Sequence, residues 1–305
     1  VPRLMLLDTA SLYFRAFYGV PDTVRAADGT PVNAARGLLD MIAKLVTTYE
    51  PTHLVACWDD DWRPQWRVDL IPSYKAHRVV EVVAAGPDVE EVPDPLEAQV
   101  PVIREELSAL GIPIVGAAEH EADDVIGSLA TQSAMPVDIV TGDRDLFQLV
   151  DDAREVRVIS TVKGMSKLEV MTEGVILERY GIRADQYADF ATLRGDASDG
   201  LPGVAGVGEK TAATLLAAHG DLAAIRSAAA EGAGMTKGQA AKVLAAAPYL
   251  DVAPRVVAVV RDLALGDVDG ELRPLDEARR TAALELAERW NLGTSMARAI
   301  DALDR

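Results

Sequence analysis

Val137-Asp138-Ile139-Val140-Thr141-Gly142-Asp143 is a short, largely apolar run that breaks at a glycine and ends on an aspartate. Four to eight apolar residues closed by a turn read as a buried strand. The layout occurs twice more upstream. Leu4-Met5-Leu6-Leu7 stops at Asp8, and Leu54-Val55-Ala56-Cys57-Trp58 stops at Asp59. Ile112 to Val115 and Val156 to Ile159 add two further strands. Helices fill the intervals: Leu38, Met41, Ile42, Leu45, Val46 and Tyr49 recur at helical spacing over 33–49, and 101–110 and 122–130 also read as helices. Strands alternating with helices imply an α/β fold with a largely parallel central sheet flanked by helices. Sites in such open sheets form beyond the carboxyl ends of the strands. Asp8, Asp59 and Asp143 are therefore expected to converge. One aspartate after a strand is most often a turn or a helix cap; three, with more acids nearby, point to a site.

The chain has 305 residues, with 48 Asp and Glu against 30 Lys and Arg, and a formal charge of −18. A surface of that sign repels phosphate, which argues against bulk electrostatic attachment to nucleic acid or to an anionic membrane. At 49% hydrophobic and 26% charged residues, the chain is too apolar to be disordered and has material for one large domain or two modest ones. Cys57 stands alone, so no intrachain disulfide forms. No window approaches a membrane span, and the first residues enter a strand-like run without a signal-peptide layout. A cytoplasmic location is expected.

The second half changes character, and a domain shift is placed near 170. Residues 1–170 form the sheet-containing core. Residues 171–305 are Ala-rich and helical, with Gly-rich punctuation at 200–208 and 232–238. Val256 to Val260 are expected as a late strand within 255–265, and 276–302 as one or two terminal helices. The segment 79–100 has no Lys or Arg and carries six acids together with Pro87, Pro93 and Pro95. It reads as a mobile excursion from the core.

Besides Asp8 and Asp59, acids gather at Glu121-Ala122-Asp123-Asp124, at Asp143-Arg144-Asp145, and at Asp196 and Asp199 around Ala197-Ser198. Each group has a plainer reading: first-turn acids favoured by a helix dipole, a cap, or turn residues. Nine carboxylates cannot share a small volume as anions without strong repulsion, and divalent cations resolve it. Carboxylate oxygens suit Mg²⁺ and Mn²⁺. Two such ions about 3.5–4 Å apart are a common phosphodiester-cleaving device. His120 is the one histidine near these groups, which argues against zinc. Asp60 and Asp61 leave the strand in directions other than that of Asp59.

A basic and aromatic stretch follows Asp59: Trp62-Arg63, Trp66-Arg67 and Pro72-Ser73-Tyr74-Lys75-Ala76-His77-Arg78. Arg67, Lys75 and Arg78 are suited to grip a phosphate, and Tyr74 or a tryptophan to stack on a base; the alternative is a solvated amphipathic helix. Arg15 lies near the end of the Asp8 strand and offers one more phosphate contact. Gly203-Val204-Ala205-Gly206-Val207-Gly208-Glu209-Lys210-Thr211 fails as a P-loop, because Glu209 intrudes before Lys210 and no buried strand precedes it. It reads as a tight hairpin between helices. Its backbone N–H groups, with a helix start behind them, suit a phosphate, and the alternative is an ordinary helix–helix turn.

These segments together resemble the bacterial 5′-nuclease family, which includes the 5′→3′ exonuclease domain of DNA polymerase I and stand-alone flap endonucleases. The matching stretches are Leu6-Leu7-Asp8, Trp58-Asp59 with Trp66-Arg67, Tyr74 to Arg78, Glu121 to Ile126, Thr141 to Leu146, and Gly195 to Gly203 through Lys210-Thr211-Ala212, in the family's order and spacing over most of 4–220. The resemblance implies a PIN-like core, a helical arch at about 70–100 that passes a single-stranded 5′ end, and a helix–two-turn–helix motif at about 195–219. It assigns Asp8, Asp59, Glu121, Asp123 and Asp124 to one metal and Asp143, Asp145, Asp196 and Asp199 to a second. Lys75 and Arg78 become the pair on the scissile phosphate, with Arg67, Arg15 and Tyr74 in support. Gly203, Gly206, Gly208, Lys210 and Thr211 become contacts to duplex backbone, with K⁺ at that motif. The implied cofactors are Mg²⁺ or Mn²⁺, two or more per site. The implied partners are flaps, nicks and RNA–DNA hybrid 5′ ends, with a DNA polymerase acting in trans and the nuclease a monomer.

The chain departs from the family in three ways. Gly200 stands where relatives usually carry Asn, the 79–100 segment lacks the basic residues common in arches, and 305 residues leave no room for a polymerase. A stand-alone nuclease or an excised domain is expected. Two other classes compete with this reading. A non-catalytic branch-binding protein does not need nine acids. A different Mg²⁺ enzyme, phosphatase-like through Asp59 and Asp61 or Toprim-like through Asp143 and Asp145, leaves 195–211 unexplained, and the phosphatase pattern wants Thr or Val where Arg63 stands.

Overall fold

The protein is described by a computed structural model covering residues 2–304. Among the described residues eight strands form: β1 (Leu4–Asp8), β2 (His53–Cys57), β3 (Val79–Glu81), β4 (Val89–Glu90), β5 (Ile114–Val115), β6 (Val137–Thr141), β7 (Val156–Ser160) and β8 (Glu169–Met171). Six of them make one sheet in the order β5-β2-β1-β6-β7-β8. All its pairings are parallel except β7 with β8. β1 lies inside the sheet and is buried along its whole length. Burial on both faces explains why it reads as a continuous apolar run.

Side chains alternate across the sheet with a period of two. Leu4, Leu6, Val55, Cys57, Ile139 and Val158 face the core that holds the helix Ala122–Gln132 and the helical segment from Ile176 onward. Met5, Leu7, Leu54, Ala56, Val140 and Ile159 face the other core, with the helices Asn33–Tyr49 and Val100–Ala109. The terminal region forms two helices, Glu277–Arg289 and Ser295–Leu303. Both return to this second core, where Met296, Ile300 and Leu303 join Leu38, Ile42 and Leu45. Arg298 adds an exposed ion pair of 2.7 Å to Asp40 at the rim of this packing. No helix among the described residues is long and apolar enough to cross a membrane.

Two expectations are corrected. The segment 79–100 is not a helical arch: β3 and β4 form an antiparallel hairpin, followed by one short helix, Asp94–Glu97. Val79, Val80, Val82, Val83 and Val89 crowd the segment with β-branched side chains, which favour extended backbone, and Gly86-Pro87 supplies the turn. The stretch around 256–260 is not a strand. Ala253–Val257 is helical, and the next amides go to side chains: Val259 N donates to Gln148 Oε1 at 3.0 Å and Val260 N to Asp124 Oδ1 at 2.9 Å. With those donors satisfied, no neighbouring strand is needed.

Candidate metal centre

The register of the sheet builds the site. Asp8 is level with Cys57, and Leu7 with Val140. The strands β1, β2 and β6 therefore end together and deliver Asp8, Asp59 and Asp143 to one edge. A cleft of about 280 Å³ opens there, and its walls include Asp8, Asp59, Lys75, Arg78, Glu121, Asp123 and Asp143. Asp8 caps the helix Thr9–Gly19, accepting from Ser11 N at 3.2 Å and from Thr141 Oγ1 at 2.6 Å. Asp59 accepts from Ala122 N at 2.8 Å. Asp143 Oδ1 accepts from Asp145 N at 2.8 Å, while its own N–H donates to Thr141 Oγ1 at 2.8 Å.

The electrostatics are those of crowded anions. Burial, then the charges of Asp59 and Asp143, raise the Asp8 carboxyl to about 7. Burial, then Asp143 and Asp8, push Asp123 well above the usual carboxylate range. Burial, then Asp143, Asp199 and Asp196, do the same to Asp145. Asp199 is raised to about 6, chiefly by burial and against the pull of Lys75. Asp196 is held low despite burial, because Ser198 donates to it from N at 2.8 Å and from Oγ at 2.5 Å.

An all-oxygen donor set of this charge fits a hard divalent cation. Asp145 Oδ1 is buried without a hydrogen-bond partner, as a ligand atom awaiting an ion would be. Among the described residues no three acids close around one point as a preformed cage. Drawing them together costs like-charge repulsion that a divalent ion offsets.

Asp145, Asp196, Asp199 and Arg15 stand beside the cleft without lining it, and three more expected site residues are buried away from it. Asp124 is 0% exposed and its oxygens are saturated. It accepts from Arg67 twice at 2.7 Å, from Val260 N at 2.9 Å and from Glu121 N at 3.2 Å. Arg67 is 2% exposed and bonded to Asp124, Glu121 and Val256 O, so it has no face for a phosphate. Tyr74 is buried, with its hydroxyl donating to Glu121 Oε1 at 2.6 Å, so it offers no ring to a base. A buried charge must be paired and a buried hydroxyl bonded, and each meets that need within this cluster. Glu121 faces the cleft with an oxygen that Lys75 also holds.

The cations that do face the cleft are Lys75 and Arg78. Lys75 sits in left-handed backbone at φ 48°, and its N–H donates to Asp199 O at 2.9 Å. Arg78 donates to Ser198 O at 2.6 Å and to Asp199 Oδ1 at 3.0 Å. These bonds tie the basic loop to the Asp196–Asp199 turn. Gly200 permits the closeness: it has φ +69°, and a Cβ there would run into the Ser73 carbonyl. Arg15 lies against the Gly142 turn, its Nε buried without a partner.

The glycine-rich hairpin joins the helices Tyr187–Arg194 and Glu209–His219. Gly203, Gly206, Gly208, Lys210 and Thr211 stand there and do not line the cleft. Gly203 packs on the Arg194–Gly195 backbone, Gly206 on Lys242, and Lys210 is exposed.

Sequence reading missed Thr141, Glu90 and Arg194. Thr141 is signalled by its place in the strand-ending run. Glu90 enters the cleft only because the hairpin folds over it. Arg194 reaches Asp196 at 3.4 Å and Asp145 at 4.0 Å.

Carboxylates packed at one sheet edge against Lys75 and Arg78 are equipment for metal-assisted cleavage of phosphodiesters, which places the chain among the metal-dependent nucleases. Residues 3–181 match the 5′-3′ exonuclease N-terminal resolvase-like domain, and 182–278 the 5′-3′ exonuclease C-terminal SAM fold. A 5′-3′ exonuclease of Streptomyces coelicolor is 60% identical over 98% of this chain and 99% of its own. One of Mycobacterium tuberculosis is 51% identical over 99% and 98%. The chain belongs to the 5′-3′ exonuclease family. In fold it is also similar to a bacteriophage T5 flap endonuclease, solved as a pseudo-enzyme-product complex with DNA and metal ions. The TM-score is 0.62 at 16% identity, over 99% of this chain and 100% of that one.

Proposed function

We propose that the protein is a structure-specific 5′ nuclease, trimming 5′ ends and cutting 5′ flaps by a divalent-metal mechanism in replication and repair, RNA primer removal included. The observation that carries this reading is the convergence of Asp8, Asp59, Asp123 and Asp143 with Lys75 and Arg78 on one cleft. Asp8, Asp59, Glu121 and Asp123 would hold one ion; Asp143, Asp145, Asp196 and Asp199 would hold a second. Mg²⁺ or Mn²⁺ bound there would lower the pKa of the attacking water and neutralise the leaving oxygen. Lys75 and Arg78 would orient the scissile phosphate and offset the charge that builds on it. For that, Lys75 turns from Glu121 and Arg78 from Asp199.

Arg15 would add a phosphate contact beside the Gly142 turn. The hairpin amides with Lys210 and Thr211 would hold duplex backbone. K⁺ would sit at the hairpin carbonyls, where Lys242 Nζ already donates to Gly206 O at 3.2 Å. We place the enzyme in the cytoplasm on nucleoid DNA, as a monomer following a polymerase supplied in trans. Digestion of end-labelled flap and nicked duplexes, with Mg²⁺ or Mn²⁺ titrated from zero, tests the reading. Release of short 5′ products only with metal supports it, and turnover of small phosphate esters but not DNA overturns it.

A further inference from the structure

Outside the cleft, one polar cluster joins the core to the helical hairpin. Arg144 stands on the turn after β6. Arg194 ends the helix Tyr187–Arg194, and Glu209 opens the helix Glu209–His219. Glu209 Oε1 accepts from Arg144 at 3.1 Å and from Arg194 at 3.1 Å. One carboxylate oxygen thus serves two guanidinium groups from different elements. For Arg144 it is the one carboxylate partner among the described residues. Arg194 turns its other nitrogen to Asp196 and Asp145, and its guanidinium lies 5.4 Å from the centre of the Phe190 ring in a side chain that is 9% exposed, so its position is fixed.

We propose that Arg144 and Arg194 form a site for a backbone phosphate of duplex DNA, and that Glu209 occupies it as a stand-in until DNA arrives. The inference rests on the nuclease reading. Two guanidinium groups converging on one anionic oxygen are the arrangement that recognises phosphate. Arg144 and Glu209 are 41% and 49% exposed, and a pair so exposed holds weakly, so an incoming phosphate displaces the carboxylate from Arg144; the second partner, Arg194, is 9% exposed and keeps Asp196 on its other nitrogen. Glu209 loses little on release. As the first residue of its helix it stays beside free N–H groups and the positive end of the dipole. The position suits the substrate, since the site lies between the second group of carboxylates and the glycine-rich hairpin.

The test measures binding without chemistry. The 305-residue chain and its Arg144→Ala, Arg144→Lys and Glu209→Gln variants are titrated into a fluorescent 5′-flap duplex in EDTA. Anisotropy is followed over a KCl series, and melting curves confirm that each variant folds. Arg144→Ala is expected to weaken binding roughly tenfold and to lower the slope of log affinity against log salt by about one. Arg144→Lys restores the slope. Glu209→Gln tightens binding severalfold, because the competing anion is gone. Unchanged affinity and slope in Arg144→Ala overturn the site, and a Glu209→Gln variant that binds no tighter than wild type overturns the stand-in role. Failure of the wild type to bind the flap duplex both in EDTA and with Ca²⁺ in its place sinks the nuclease reading itself, and the site with it.

Discussion

Arg67→Ala separates a phosphate contact from a structural charge. The guanidinium is 2% exposed and makes four bonds: 3.1 Å to Val256 O, 3.0 Å to Glu121, and 2.7 Å to each oxygen of Asp124. It also lies 4.4 Å from the centre of the Trp66 ring. Truncation strands Asp124 as a buried anion with two backbone N–H partners and removes one of three partners from Glu121. Breaking a buried pair from one side typically costs about 3–5 kcal/mol. For a chain of this size that is a fall in melting temperature of roughly 5–8 °C. Urea unfolding of wild type and variant, with the slope held common, measures the loss directly. DNA affinity in EDTA should change less than twofold where both proteins are folded. A stability loss under about 1 kcal/mol together with a tenfold loss of affinity would refute the reasoning and return Arg67 to the substrate.

Four further outcomes follow from the same geometry. Asp143→Ala or Asp123→Ala should cut cleavage of a labelled flap roughly a hundredfold or more without lowering the melting temperature, since each removes one of several crowded charges; near-normal turnover would undo the site assignment. Saturating Mg²⁺ or Mn²⁺ at about a hundred times Kd should stabilise the protein by about 2.7 kcal/mol over the EDTA form, read by calorimetry; identical melting curves would mean the acids hold no ion. Glu106 is buried with neither carboxylate oxygen bonded, and burial raises its pKa well above 4.5. The folded state therefore keeps a proton that the unfolded chain releases above that pH, so this residue's contribution to stability declines as pH rises. Glu106→Gln should flatten that decline, and urea midpoints at pH 5 and pH 8 that shift equally in both proteins would contradict it. Gly200→Asn should push the Ser73–Lys75 loop off its seat, because a Cβ there meets the Ser73 carbonyl, and lower turnover more than stability; unchanged turnover would show that the loop gives way freely.

Five of the six strands of the main sheet, their parallel pairing and the acids at their ends were legible because buried parallel strands are written as short apolar runs, and because a carboxylate just past such a run has one edge of the sheet to occupy; the antiparallel edge strand β8 is only three residues long and carried no such run. Asp8, Asp59 and Asp143 needed nothing beyond that. The hairpin at 79–91 was less legible, because prolines and acids mark a loop while β-branched residues favour pairing. Glu90 therefore reached the cleft unannounced.

What the chain determined by itself was the kind of chemistry: oxygen ligands in quantity, two cations beside them, and a glycine-rich turn between helices. Tertiary structure decided which of these groups face the cleft. Arg67, Tyr74 and Asp124 carry the right side chains at the right spacing, yet they are buried on one another behind Glu121. Spacing along a chain specifies which face of an element a residue takes, and it is silent on what packs against that face. Low-dielectric burial then forces every charge to find its partner across the fold.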